Sequence, residues 1–138
     1  MNIEELGLAI YEKTKLHPLN PSYNFGTLYE VSQNLNTSYP LVFMESEFNK
    51  NRVINYSNYT FYLNFLTQTE DLTNQDNKFD RLKAISDMDL LSESFYLLIK
   101  DIADFQIEFI SSISIHDEYL DKITGVRCEF QIKIINKC

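Results

Sequence analysis

His17 and His116 are the only imidazoles of the chain, and neither has a second His or a Cys at metal-ligand spacing. Zinc needs several N or S donors converging on one point, so both histidines read as solvated or hydrogen-bonded residues beside loops. Asp71, Asn74, Asp76 and Asp80 crowd one segment in the manner of a calcium loop. An EF-hand requires Gly at its sixth position and Glu at its twelfth; neither falls in place, and the segment reads as a polar loop ending in a helix cap, Asp76 or Asn77. Glu45 and Glu47 stand two apart on an expected strand and share a face, but no apolar pocket or partner nearby equips them for acid–base work. They read as a wet strand face, and Asp117, Glu118 and Asp121 as a solvated turn. Gly7, Gly26 and Gly125 are isolated, so phosphate-cradling loops are absent, as is a nucleophile elbow. Tyr56, Tyr59 and Tyr62 suggest stacking on bases or sugars, yet single-strand binders pair such rings with a basic groove, and this chain has net charge −8. A protein contact surface or cross-strand pairing is the better reading of these rings. The inventory predicts no catalytic, metal-binding or cofactor-binding residue, and no enzyme.

The elements that must position these residues belong to one domain spanning 1–138. A chain of 138 residues buries roughly 68% of its unfolded surface, enough for a core without disulfides or metal. Hydrophobic residues make up 44% and charged residues 23%, which fits a globular domain. Lys50 and Arg52, then Lys78, Arg81 and Lys83, are local basic groups set among acids and amides, so no direct nucleic-acid binding is expected. Cys128 falls in the apolar phase of a strand and Cys138 is the last residue, which reads as a buried thiol and a loose end rather than a disulfide framework. The acidic N-terminal stretch has no long apolar run, so neither a signal peptide nor a membrane span is expected. The Asn-x-Ser/Thr triplets at Asn36, Asn55 and Asn58 read as chance in an Asn-rich chain.

Periodicity predicts a helix over 2–16, with Ile3, Leu6, Ile10 and Tyr11 on one face, ended by Pro18 and Pro21. Tyr23, Phe25 and the run from Gly26 to Val31 suit either a strand or a short helical turn, and 32–38 a loop. A strand is expected from Leu41 to Phe48 and a turn at Asn49–Arg52. From Tyr59 to Thr67, Tyr59, Phe61, Leu63 and Phe65 alternate against Thr60, Tyr62, Asn64 and Leu66. A polar loop at 67–77 precedes a long helix from Lys78 to about Lys100. Its apolar stripe is Phe79, Leu82, Ile85, Leu90, Phe95, Leu98, Ile99 and Ile102, with a kink near Ser86-Asp87. The last strands run over 105–115, with a bulge near Ser111, and over 126–134, where Val126, Cys128, Phe130, Ile132 and Ile134 alternate strictly against Arg127, Glu129, Gln131 and Lys133. The fold class is α+β, an antiparallel or mixed sheet with two helices packed on one face.

This order, with Tyr59-Thr-Phe-Tyr-Leu-Asn-Phe-Leu, Arg81-Leu, Met88-Asp-Leu-Leu and the closing Asp121-Lys-Ile-Thr-Gly-Val-Arg-Cys-Glu-Phe-Gln-Ile-Lys-Ile, resembles tail-completion, tail-terminator or neck ring proteins of tailed phages, especially small structural proteins of crAss-like phages. The order of elements covers most of the chain; the closing phrase covers about a tenth, and a Gly turn before an alternating strand is common. The resemblance implies a virion protein assembled in the host cytoplasm, a homo-oligomeric ring, sixfold or twelvefold, between portal and tail. It implies other neck and tail proteins as partners, and no cofactor. The segment Glu45–Asn58 is then the loop expected to reach a neighbour or the lumen, and Glu45, Glu47, Phe48, Arg52, Tyr56, Tyr59 and Tyr62 are the candidate contact residues. Two other function classes stay open: a small adaptor or regulatory protein-binding module of a mobile element, and a small-ligand binder or enzyme with a site between sheet and helices.

Overall fold

The computed structural model describes residues 2–27, 38–68, 78–102, 107–116 and 123–135. Helix α1 spans Ile3–Thr14. Asn2 caps it, its side-chain oxygen accepting from the Glu5 N–H at 2.8 Å, and Glu4 and Glu5 lie against the positive end of the helix dipole. Leu6 and Ile10 are fully buried, while Tyr11 stays 40% exposed, so the apolar face is narrower than its spacing suggests.

Six strands follow the expected class: β1 Ser22–Gly26, β2 Leu41–Glu45, β3 Asn49–Arg52, β4 Tyr56–Gln68, β5 Glu108–His116 and β6 Ile123–Ile135, with helix α2, Lys78–Ile99, between β4 and β5. The sheet is mixed, in the order β1-β2-β4-β6-β5. Only β1 and β2 are parallel; the other pairs are antiparallel. Segment 22–26 is therefore a strand, not a helical turn.

Asn49–Arg52 is a strand where a turn was expected. All its residues are exposed, so its side chains give no strand signal; it is held by pairing with Ser57–Thr60 of β4. β2 and β3 lie along the same side of β4, from Leu41 opposite Leu66 to Arg52 opposite Ser57. The expected strand to Phe48 is thus interrupted after Glu45 and resumes at Asn49. A Val53 N–H to Tyr56 carbonyl bond of 2.8 Å closes the β3–β4 hairpin, and Ile54 at its tip is 93% exposed. Glu45–Asn58 is therefore mostly a hairpin arm, not a loop.

Both helices pack on one face of the sheet. Leu6 and Ile10 of α1 and Met88, Leu91, Phe95 and Ile99 of α2 share a core with Val42, Met44, Phe61, Leu63, Phe65 and the even-numbered residues Val126 to Ile134 of β6. The buried line of α2 repeats every three or four residues. Leu82 and Leu90 do not belong to it, being 63% and 59% exposed; Leu90 is two residues past Met88 and so about 200° round the helix. The helix runs unbroken through Ser86-Asp87. The expected bulge in β5 lies between Phe109 and Ser111.

Gly125 lies inside β6 opposite Leu66 rather than in a turn. A Cβ there would overlap the backbone carbonyl of Phe65, so the close approach of two strands excludes any side chain. The other face of the sheet is not uniformly polar. Leu41, Phe43, Leu66, Ile115 and Ile123 form a second, smaller buried cluster with Tyr39 against it. Among the described residues no helix is long and apolar enough to cross a membrane. The expected loops over 32–37 and 69–77, the side chains of Phe79, Asp80 and His116, and Phe105, Asp117, Glu118, Asp121 and Cys138 lie outside the described residues.

Candidate functional site

Two features stand out: a polar cluster on the face of the sheet opposite α1 and α2, and an apolar groove at the β1 edge. The polar cluster is built by three neighbouring strands. Glu45 from β2, Asn64 from β4 and Arg127 from β6 point to the same side, because β2, β4 and β6 are consecutive in the sheet. Arg127 grips Glu45 bidentately, Nε to Oε2 at 2.6 Å and a terminal nitrogen to Oε1 at 3.0 Å. Asn64 Nδ2 donates to the same Oε2 at 2.9 Å. The Tyr62 ring lies under the guanidinium at 4.1 Å, and its hydroxyl donates to Glu129 at 3.1 Å. The Glu45 hydrogen bonds hold the Arg127 pKa above its ordinary value against the cost of its burial, and burial, then the Glu129 bond, push Tyr62 up. Three hydrogen bonds thus converge on the Glu45 carboxylate and tie three neighbouring strands together on this face.

Glu45 is thus not the wet strand residue expected: its side chain is only 8% exposed. Glu47 lies in the loop after β2 and is exposed, whereas Glu45 is buried. Nor do Tyr56, Tyr59 and Tyr62 form a cluster. Tyr59 faces the helices and is buried, while Tyr56 and Tyr62 lie on the opposite face, six residues apart, about 20 Å at strand rise. Lys133 sits over the Tyr56 ring at 5.3 Å. The rings serve as partners of cations and of the core, not as one stacking platform.

The groove has a volume of ≈ 560 Å³ and runs between α1 and β1, lined by Ile3, Gly7, Leu8, Tyr11, Phe25 and Phe48 among others. Leu8 is 57%, Phe25 51% and Phe48 43% exposed. Beneath it the Tyr23 hydroxyl donates to Met44 Sδ at 3.4 Å, and burial raises the Tyr23 pKa to about 12. Phe48 packs on Tyr59 at 5.7 Å. Of the seven expected contact residues, only Phe48 lines this groove; Arg52 is exposed on β3 nearby in sequence. Leu8, Tyr11 and Phe25 were missed because α1 and β1 meet only in the folded chain. The signal available was the surplus of apolar residues on α1 beyond one face.

His17 ties the end of α1 to α2. Its Nδ1 accepts from the Leu19 N–H at 3.1 Å. Its Nε2 therefore carries the proton and donates to Ser94 Oγ at 2.8 Å, which in turn donates to the Leu91 carbonyl at 3.0 Å. Burial lowers its pKa. In this arrangement the imidazole cannot accept the serine proton, so the pair is structural. Cys128 is buried and its thiol is pushed up to about 12 by that burial, as its strand phase suggests. Among the described residues no group of three or more His, Cys, Asp or Glu gathers as metal donors.

No protein-family model matches the chain, and no curated protein matches it significantly.

Proposed function

We propose that this protein is a structural subunit that works by contact with copies of itself and with other proteins, as a ring component of the neck or tail of a tailed phage. The observation that carries the reading is the apolar groove at the open β1 edge. Exposed apolar patches rimmed by polar residues mark surfaces that bind other proteins, and this one combines Leu8, Tyr11, Phe25 and Phe48 with a strand edge to which no described strand pairs. The described elements, α1, the strands β1 to β4, α2 and then β5 and β6, keep the helix–strands–helix–strands order on which the resemblance to tail-completion and neck proteins rests, with a hairpin arm where a long loop was expected. A small-ligand site is less well supported: of the polar groups lining the groove, Asn24 Oδ1 already accepts from the Phe25 N–H at 2.8 Å and the Tyr23 hydroxyl already donates to Met44, which leaves Glu4 and Tyr11 at the rim.

Light scattering of the purified chain, alone and mixed with portal and tail-tube proteins, tests this reading. A mass several times that of the monomer, or a stable complex with such partners, is expected. A monomer that joins none of them refutes it.

A further inference from the structure

Among the described residues no strand pairs with the outer side of β1 or of β5, the two ends of the sheet. They run in opposite senses: β1 is parallel to β2, β2 is antiparallel to β4, β4 to β6, and β6 to β5. They also lie at the same height. Phe25 is level with Met44, Met44 with Leu63, Leu63 with Cys128 and Cys128 with Ser112. By the same steps Ser22 is level with Ile115 and Asn24 with Ile113. The five residues of β1 therefore match the regular stretch of β5 that begins after its bulge.

We propose that neighbouring copies join edge to edge, β1 of one running antiparallel to β5 of the next, with Phe25 entering the groove beside Ser112. The inference rests on the ring reading above and names the interface it needs. The chemistry of the two edges is complementary. Phe25 projects from the helix side of β1, 51% exposed. The residue level with it, Ser112, is small and exposed, and lines a groove together with Tyr96, Leu97 and Phe109. On the other face Asn24 meets Ile113, which is 63% exposed. Natural sheets protect their edges with charges or prolines; β1 carries neither. The contact uses two different surfaces, so it is heterologous, and heterologous contacts make rings when they close. Because the edges are level, each added copy brings no step along the strand axis, which favours closure over a climbing filament.

Cysteine cross-linking of the full chain tests the join. In a Cys138→Ser background, Asn24→Cys with Ile113→Cys places two thiols within bridging range across the interface. Within one copy the same residues are separated by four strand spacings, about 19 Å, so any bridge reports two copies. The control pair, Asn24→Cys with Glu108→Cys, is displaced by four levels, about 13 Å along the strands, beyond the reach of a disulfide. The expected result is a ladder of covalent oligomers for the first pair and none for the control, with Phe25→Asp abolishing both ladder and assembly while its circular dichroism spectrum stays that of the folded chain. Assembly by light scattering without a ladder overturns the edge-to-edge join and leaves the ring reading standing. Absence of assembly in the unsubstituted chain, alone and with its partners, overturns both.

Discussion

Removing the Arg127 side chain tests whether the polar cluster holds the sheet's outer face. In Arg127→Met the Glu45 carboxylate, buried on β2, loses both guanidinium bonds and keeps only the Asn64 amide. Breaking a buried pair from one side costs about 3–5 kcal/mol. Arg127 retains 35% side-chain exposure, so water screens part of that, and about 2–3 kcal/mol is the expected loss. For a chain of this length that is a fall in Tm of roughly 8–12 °C. Replacing both partners, Glu45→Leu with Arg127→Met, removes the stranded charge, and the loss is smaller than the sum of the two single losses, although the buried Asn64 amide then keeps only the Phe43 carbonyl at 3.5 Å. Urea unfolding of the two single variants and the double variant, read as a double-mutant cycle, gives the coupling directly. Losses that simply add, or a single Arg127→Met loss under about 0.5 kcal/mol, the scale of an ordinary surface substitution, would refute the role given to the cluster.

Three further outcomes follow from the geometry. Gly125→Ala drives a methyl group into the Phe65 backbone carbonyl, and a loss of at least about 2–3 kcal/mol is expected in the same unfolding assay. His17 is held neutral, with its pKa below the ordinary 6.5; the unfolded chain then binds the extra proton first, so the contribution of His17 is full above about pH 6.5 and declines as pH falls below it. Unfolding free energies of the unsubstituted protein and His17→Gln, compared between pH 7.5 and 5, should converge toward the acid end; parallel curves would contradict this. In a Cys138→Ser variant, the Cys128 thiol, buried and raised to about 12, should resist a thiol reagent such as Ellman's reagent in the native state and react fully in denaturant.

The strands and helices that could be read from the sequence are those whose side chains alone report burial. β6 alternates strictly, and every residue from Val126 to Ile134 at even positions is buried. α1 was legible from its apolar stripe. β3 was not, because Asn49–Arg52 is fully exposed and its strand character comes from the β4 backbone. In α2, counting leucines misled where phase decides: Leu82 and Leu90 of the expected stripe lie on the solvent side, while Met88 and Leu91 face the sheet. The polar cluster was invisible for a different reason. Glu45 and Arg127 are 82 residues apart, and only the strand order brings them together. The same holds for the apolar groove, where Phe48 was expected as a contact residue but Leu8, Tyr11 and Phe25 enter from α1 and β1.

Electron microscopy of the purified full chain, alone and mixed with portal and tail proteins, is the most direct measurement of whether this protein works by assembly. Closed rings of six or twelve copies are expected, with the helices on one surface and the sheet edges joined around the circumference. Isolated monomers in every mixture would contradict it.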